Sequence, residues 1–136
     1  MPQRKRPKSD ADRTGAGRFA YEGLSRVFHE KARLSIMTCL TTQSTGLSFS
    51  DLKELCSLSD GNLNRHLSVL QNAGFVKVEK EGGGRSSLTR CLVTQTGRLA
   101  FLEYLDVLEQ VIADAASAQE TAARSAKQLR AGWSTA

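Results

Sequence analysis

Aromatic residues make up only 6% of this 136-residue chain, which also holds two prolines, three cysteines and two histidines. The cysteines, Cys39, Cys56 and Cys91, are odd in number and widely spaced. That argues against both a disulfide framework and a zinc site, so no metal or cofactor is expected. All three sit among apolar neighbours and read as small core residues. His29 and His66 are the only histidines, and neither lies in a zinc-protease motif. P-loop, dinucleotide-binding and nucleophile-elbow motifs are missing as well, which disfavours an enzyme. The carboxylates are scattered along helix surfaces and read as solvated charges. No apolar run approaches the ~20 residues a membrane helix needs. The basic N-terminus lacks the apolar core of a secretory signal. A soluble, cytoplasmic protein with no membrane partner is expected.

The chain lacks acidic balance overall, with 19 basic and 14 acidic residues, but the excess is local. Residues 1–18 hold Arg4, Lys5, Arg6, Lys8, Arg13 and Arg18 against Asp10 and Asp12. The remainder is close to neutral, with 13 basic (19 − 6) and 12 acidic (14 − 2) residues. The basic balance therefore belongs to an arm over residues 1–18 that reads as disordered. Such an arm attracts phosphate, or is simply a solvated end.

What is present is concentrated between Ser59 and Phe75. Ser59 or Asp60 caps the first turn of a helix, because a short side-chain oxygen accepts from the free amides there. Gly74 suits the left-handed position just past its end, and Phe75 can then touch Leu70. At roughly 100° per residue, Leu63, Leu67 and Leu70 share one side, with His66 beside them as a packing residue. Gly61, Arg65, Ser68 and Asn72 fall opposite, flanked by Asn62 and Asn64. Arg pairs well with guanine and Asn with adenine in the major groove. Those geometries single out Asn62, Asn64, Arg65 and Ser68. The bland alternative is an ordinary amphipathic surface helix.

The neighbours favour the first reading. Leu24, Val27 and Phe28 recur at helical spacing, as do Ala32, Ile36, Met37 and Leu40 up to about Thr42, as one helix or two. Residues 41–46 form a polar loop, and Leu47-Ser48-Phe49 alternates like a short strand. Ser50 then looks like a cap, with Asp51 in the first turn and Leu52, Leu55 and Cys56 as the apolar face of a short helix. A short helix, the turn Ser57-Leu58-Ser59 and a second helix make a helix-turn-helix. After Gly74 the period becomes two. Val76 and Val78 share a face, Gly82-Gly83-Gly84 permits a turn, and residues 87–93 alternate back with Cys91 and Val93 inward, which is a hairpin. Lys80, Arg85 and Ser86 at its tip suit phosphate. Thr94 caps a final helix over residues 95–126, ahead of a flexible tail at 127–136. Leu99, Leu102, Leu105, Leu108 and Ile112 recur along that helix, more apolar surface than one small domain covers. They mark it for dimerisation, or for packing on the domain's own first helix.

Three blocks carry a family resemblance. The first is His29-Glu30-Lys31-Ala32-Arg33-Leu34-Ser35-Ile36-Met37-Thr38-Cys39-Leu40. The second is Asp60-Gly61-Asn62-Leu63-Asn64-Arg65-His66-Leu67, then Leu70 and Ala73-Gly74-Phe75-Val76. The third is Val93-Thr94-Gln95-Thr96-Gly97-Arg98. From about Leu24 to Ile112 the chain resembles the small winged-helix transcription regulators of the MarR and ArsR type. The resemblance implies a mainly α (α+β) fold: a winged helix-turn-helix over residues 19–94, a two- or three-stranded β-wing and a long C-terminal dimerisation helix. It implies a homodimer on double-stranded DNA, probing half-sites about 34–36 Å apart. Ser59, Asn62, Asn64, Arg65 and Ser68 would then face the duplex, with Lys80, Arg85 and Ser86 on the flanking backbone. Relatives often bind a small effector, but no polar cluster here marks a pocket for one. The paired cysteines of ArsR metal sensors are replaced by Leu47-Ser48-Phe49-Ser50, which removes that metal site. Two other functions fit the residues: a winged-helix protein-interaction module, given exposed Val69 and the near-neutral domain, and a thiol redox switch, which needs an accessible low-pKa thiol.

Overall fold

The computed structural model describes residues 17–82 and 88–134. Its elements run α1 (Lys31–Thr42), β1 (Leu47–Ser48), α2 (Phe49–Cys56), α3 (Asp60–Asn72), β2 (Val76–Glu81), β3 (Leu88–Val93) and α4 (Gln95–Ser134). The strands form one antiparallel sheet in the order β1-β3-β2. This is a winged helix followed by a long helix. The basic arm at residues 1–16, the hairpin tip beyond Gly82, Arg85 and Ser86 lie outside the described residues.

The expected helix over Tyr21–Phe28 is instead a run of turns. Tyr21 takes a positive φ of 48°. Ser25 Oγ accepts from the Val27 amide at 3.2 Å, a local bond that competes with helical pairing. Helix α1 starts only after Glu30, which is extended and whose carboxylate accepts from the Arg33 amide at 3.0 Å. Ser48, not Ser50, caps α2: its Oγ accepts from the Asp51 amide at 3.1 Å. Phe49 is accordingly the first residue of α2 rather than the end of a strand. In α2 Leu52 is buried, while Leu55 is 63% exposed, contrary to its expected place on the apolar face. A two-turn helix packed on one side buries Leu52 and half-buries Cys56, four residues on, leaving Leu55 off the contact line.

The described residues divide into two compact units, Gly23–Leu105 and a second formed by residues 17–22 and 106–134. The core of Gly23–Leu105 combines Ile36, Met37, Leu40, Leu52, Leu63, Leu67 and Leu70 from the helices with Val76 and Cys91 from the sheet. Four of the few aromatic rings close it. Phe28 lies 4.8 Å from Phe75, 5.3 Å from Phe101 and 5.7 Å from Tyr104, in tilted and edge-on arrangements that such rings prefer. Tyr104 Oη sits 2.8 Å from His29 Nδ1, which gives the buried phenol a polar partner. In the second unit the Tyr21 hydroxyl donates to Asp114 Oδ2 at 2.6 Å, and Gln110 donates to Asp114 Oδ1 at 2.9 Å. Thr94 caps α4, accepting from the Gly97 amide at 2.9 Å. The helix continues through Ser134, beyond the end expected near Ala126. Among the described residues no helix is long and apolar enough to cross a membrane.

Candidate nucleic-acid interface

Helix α3 is built as its sequence suggests. Ser59 is extended, and its Oγ accepts from the Asn62 amide at 3.2 Å, so Ser59 rather than Asp60 is the cap. At the other end Gly74 takes φ +80°. The Gly74 amide donates to Gln71 O and the Phe75 amide to Leu70 O, both at 2.9 Å. Those two bonds satisfy carbonyls the helix leaves open and turn the chain directly into β2. Leu63, His66, Leu67 and Leu70 are buried, and Asn62, Asn64, Arg65 and Ser68 are exposed. Arg65 Nη2 donates to Asn62 Oδ1 at 3.4 Å, so these two side chains occupy one patch.

Three features hold this helix against the rest of its unit. Lys53 of α2 meets Asp60 of α3 at 2.9 Å across the tight turn. This ion pair is too exposed to add much more than about 0–1 kcal/mol. Ser57, in the turn itself, adopts a left-handed conformation at φ 52°. The third is a polar cluster beneath His66, which is only 8% exposed. Arg33 Nη1 lies 3.2 Å from His66 Nδ1, and Glu30 Oε2 lies 3.5 Å from the same nitrogen. Partial burial pushes the Glu30 carboxyl up. The amides of Arg33 and Ala32, with His66 and the Arg33 guanidinium, outweigh that and hold it below its ordinary value. His66 is thus a packing residue, as expected, but one with an ionic partner set that spacing did not reveal.

In the wing, Val76 pairs with Val93 and Val78 with Cys91, so the expected inward faces meet. Lys80 is exposed on β2, opposite Thr89. Arg90 is not free to reach outward. Its Nε donates to Glu81 at 3.1 Å and its Nη1 to Thr45 O at 3.2 Å. Lys77 is likewise held by Glu79 at 2.6 Å. Arg65 and Lys80 are exposed and stand outside those ion pairs.

The remaining candidates fall as follows. Leu99 and Leu102 of α4 are 57% and 53% exposed, while Phe101 and Tyr104 of the same turns are buried. Leu105 and Leu108 are half-buried, and Ile112 is 61% exposed. Leu47, Asp51, Glu54 and Leu55 line an open cleft beside α2. Burial pushes the Cys91 thiol up to about 11 and that of Cys56 up to about 12, with neighbouring Cys39 adding to the second. Neither of these two is the low-pKa thiol that would attack an oxidant first. The wide sequence spacing of the cysteines was misleading in one respect. Cys39 and Cys56 stand with their sulfurs 3.9 Å apart.

Residues 32–112 match the model of a winged helix DNA-binding domain. An uncharacterized protein of Methanocaldococcus jannaschii is 34% identical over 83 residues, covering 59% of this chain and 86% of its own length. Among solved structures, a transcriptional regulator homologue from Pyrococcus horikoshii OT3 superimposes with a TM-score of 0.62 at 30% identity, over 66% of this chain and 88% of that one. Two more distant structures share the fold. One is the M. tuberculosis transcriptional regulator MosR in complex with DNA, with a TM-score of 0.56 at 21% identity, over 79% of this chain and 78% of that one. The other is a MarR-family regulator from Silicibacter pomeroyi, with a TM-score of 0.50 at 20% identity, over 72% and 66%.

Proposed function

This chain belongs to the winged helix DNA-binding domain family, and from that premise we propose that it acts in the cytoplasm as a homodimeric, sequence-specific regulator of transcription that represses by covering promoter DNA. The family and fold are those of transcriptional regulators, not of enzymes. The observation that carries the reading is the two-sidedness of α3. Leu63, His66, Leu67 and Leu70 lock one side into the core, and Asn62, Asn64, Arg65 and Ser68 stand exposed on the others. A helix held this firmly presents a fixed set of donors to base edges, with its N-terminal half leading into the major groove. Arg65 suits guanine and the two asparagines suit adenine. Lys80, with Arg85 and Ser86 of the wing, and the Ser59 hydroxyl suit flanking phosphates. The fold neighbour MosR was solved on DNA, which supports the same partner class here. Leu99, Leu102, Leu105, Leu108 and Ile112 supply the surface for the second copy.

The test is selection of bound duplexes by the purified protein, followed by titration of the selected site. Arg65→Ala is expected to cost about 1–3 kcal/mol of specific affinity and to relax one base position. Lys80→Ala is expected to weaken all sequences alike and to lower the salt slope by about one. A protein that prefers no sequence over random duplex at low salt would overturn the proposal.

A further inference from the structure

Cys39 lies in the third turn of α1 and Cys56 is the last residue of α2, and their Sγ atoms are 3.9 Å apart. Both side chains are half-buried rather than enclosed, whereas Cys91 is fully buried in the sheet. We propose that Cys39 and Cys56 form a dithiol modification site that a hydroperoxide closes to a disulfide, cross-linking α1 to the first helix of the helix-turn-helix.

The juxtaposition is not a requirement of packing. A core position asks only for a small apolar side chain, and a thiol at one of the two sites would fill its space equally well beside an alanine or serine. Two thiols in van der Waals contact on different helices need about 2 Å of approach to reach bonding distance.

The chemistry balances without any group beyond the oxidant. The Cys39 thiolate attacks the distal oxygen of the hydroperoxide. The O–O bond breaks, the expelled alkoxide takes up the proton that the Cys39 thiol released and leaves as an alcohol, and Cys39 becomes a sulfenic acid. Cys56 then attacks Cys39 Sγ, the S–O bond breaks, and the hydroxyl leaves as water with the Cys56 proton. Two thiols are oxidised by two electrons and one peroxide is reduced. Burial and the adjacent Cys39 keep Cys56 protonated, which makes it the second, resolving sulfur and makes closure faster as pH rises.

The consequence follows from what comes after Cys56. Ser57 holds the left-handed turn and Ser59 caps α3, so a pull on the end of α2 acts on the recognition helix within three residues. Closure draws that end toward α1 and is expected to misplace α3. In a reducing compartment such a bond is transient, as a regulatory disulfide should be.

The full chain, treated with hydrogen peroxide and digested, is expected to yield a Cys39–Cys56 linked peptide. Its free thiols should fall from three to one, and dithiothreitol should restore them. Cys56→Ser is expected to stop at a Cys39 sulfenic acid trapped by dimedone. Affinity for the selected duplex should fall about tenfold on closure, an ordinary coupling between sites, and should not fall in Cys56→Ser. No linked peptide in excess peroxide overturns the site. A linked peptide with unchanged affinity overturns its control of α3. The mass readout does not depend on duplex binding, so failure of the crosslink and failure of the transcription reading are told apart.

Discussion

The Arg33 guanidinium spans three parts of the unit. Nε donates to Val27 O at 2.6 Å, Nη2 to Arg26 O at 3.4 Å, and Nη1 to His66 at 3.2 Å. The first two bonds satisfy carbonyls in the irregular turns before α1, and the third reaches the buried side of α3. Glu30 meanwhile caps α1 and faces the same histidine. The His-Glu-x-Ala-Arg block is therefore a bracket for α3, which its helical spacing alone does not disclose. Gly61 is the counterpart on the outer face. A Cβ built there meets nothing within 4 Å. Gly61→Ala should therefore raise stability by about 0.5–1 kcal/mol through lower unfolded-state entropy and better helix propensity. Urea unfolding reads that gain. The same methyl stands where the duplex backbone is expected, so affinity should fall as stability rises. A stabilised variant with unchanged affinity would place the duplex away from this end of α3.

At the scale of elements, the Thr-x-x-Gly-Arg block acts as a joint. Thr94 Oγ1 donates to Gly74 O at 2.7 Å and accepts from the Gly97 amide, and the Thr94 amide donates to Phe75 O at 3.0 Å. Arg98 Nη1 donates to Thr41 O at the end of α1, at 3.4 Å. The first turn of α4 is thereby fixed to the end of α3 and to α1. Gly97 is needed because a Cβ there would collide with the Phe75 backbone. Although Ala favours a helix, Gly97→Ala is expected to destabilise by about 1–3 kcal/mol, the usual cost of overpacking. The midpoint of urea unfolding would show it, and an unchanged midpoint would mean the joint gives way freely. The short α2 shows the opposite case. Its cap moved from Ser50 to Ser48 and its Leu55 faces out, because eight residues bury only one line of contact and the preceding strand, paired Leu47↔Cys91, sets where the helix begins.

For the molecule as a whole, the outer side of α4 is the surface proposed for the second copy. Leu99 and Leu102 are more than half exposed while Phe101 and Tyr104 fill the core. Substituting both leucines by aspartate leaves that core intact, so helical content should persist. Sedimentation should then report a monomer, and affinity for a two-fold duplex should drop. An unchanged mass would overturn this face as the proposed dimer contact. The near-neutral charge of residues 19–136 has its own consequence at this scale. Lys77 and Arg90 are committed to carboxylates, so under the proposed function long-range attraction to DNA would draw on Arg65, Lys80, Arg85 and the basic arm, and specificity on shape and hydrogen bonds at α3.

Local chemistry was legible from the sequence where neighbours along the chain decide it. A cap at Ser59 or Asp60, the Gly74 stop, the leucine stripe of α3 and the switch to period two at Val76 depend on backbone hydrogen bonds and side-chain spacing within a few residues. So did the winged-helix order of elements. The tertiary structure alone decided contacts whose partners are far apart in the chain. It turned Tyr21–Phe28 into turns, tied Arg26 and Val27 to Arg33, bound Arg90 to Glu81 and Thr45, seated Gly97 on Phe75, and brought Cys39 beside Cys56. Periodicity says which side of a helix is buried, because that is a property of one element. It is silent on which residue stands opposite, because packing and electrostatics act through space.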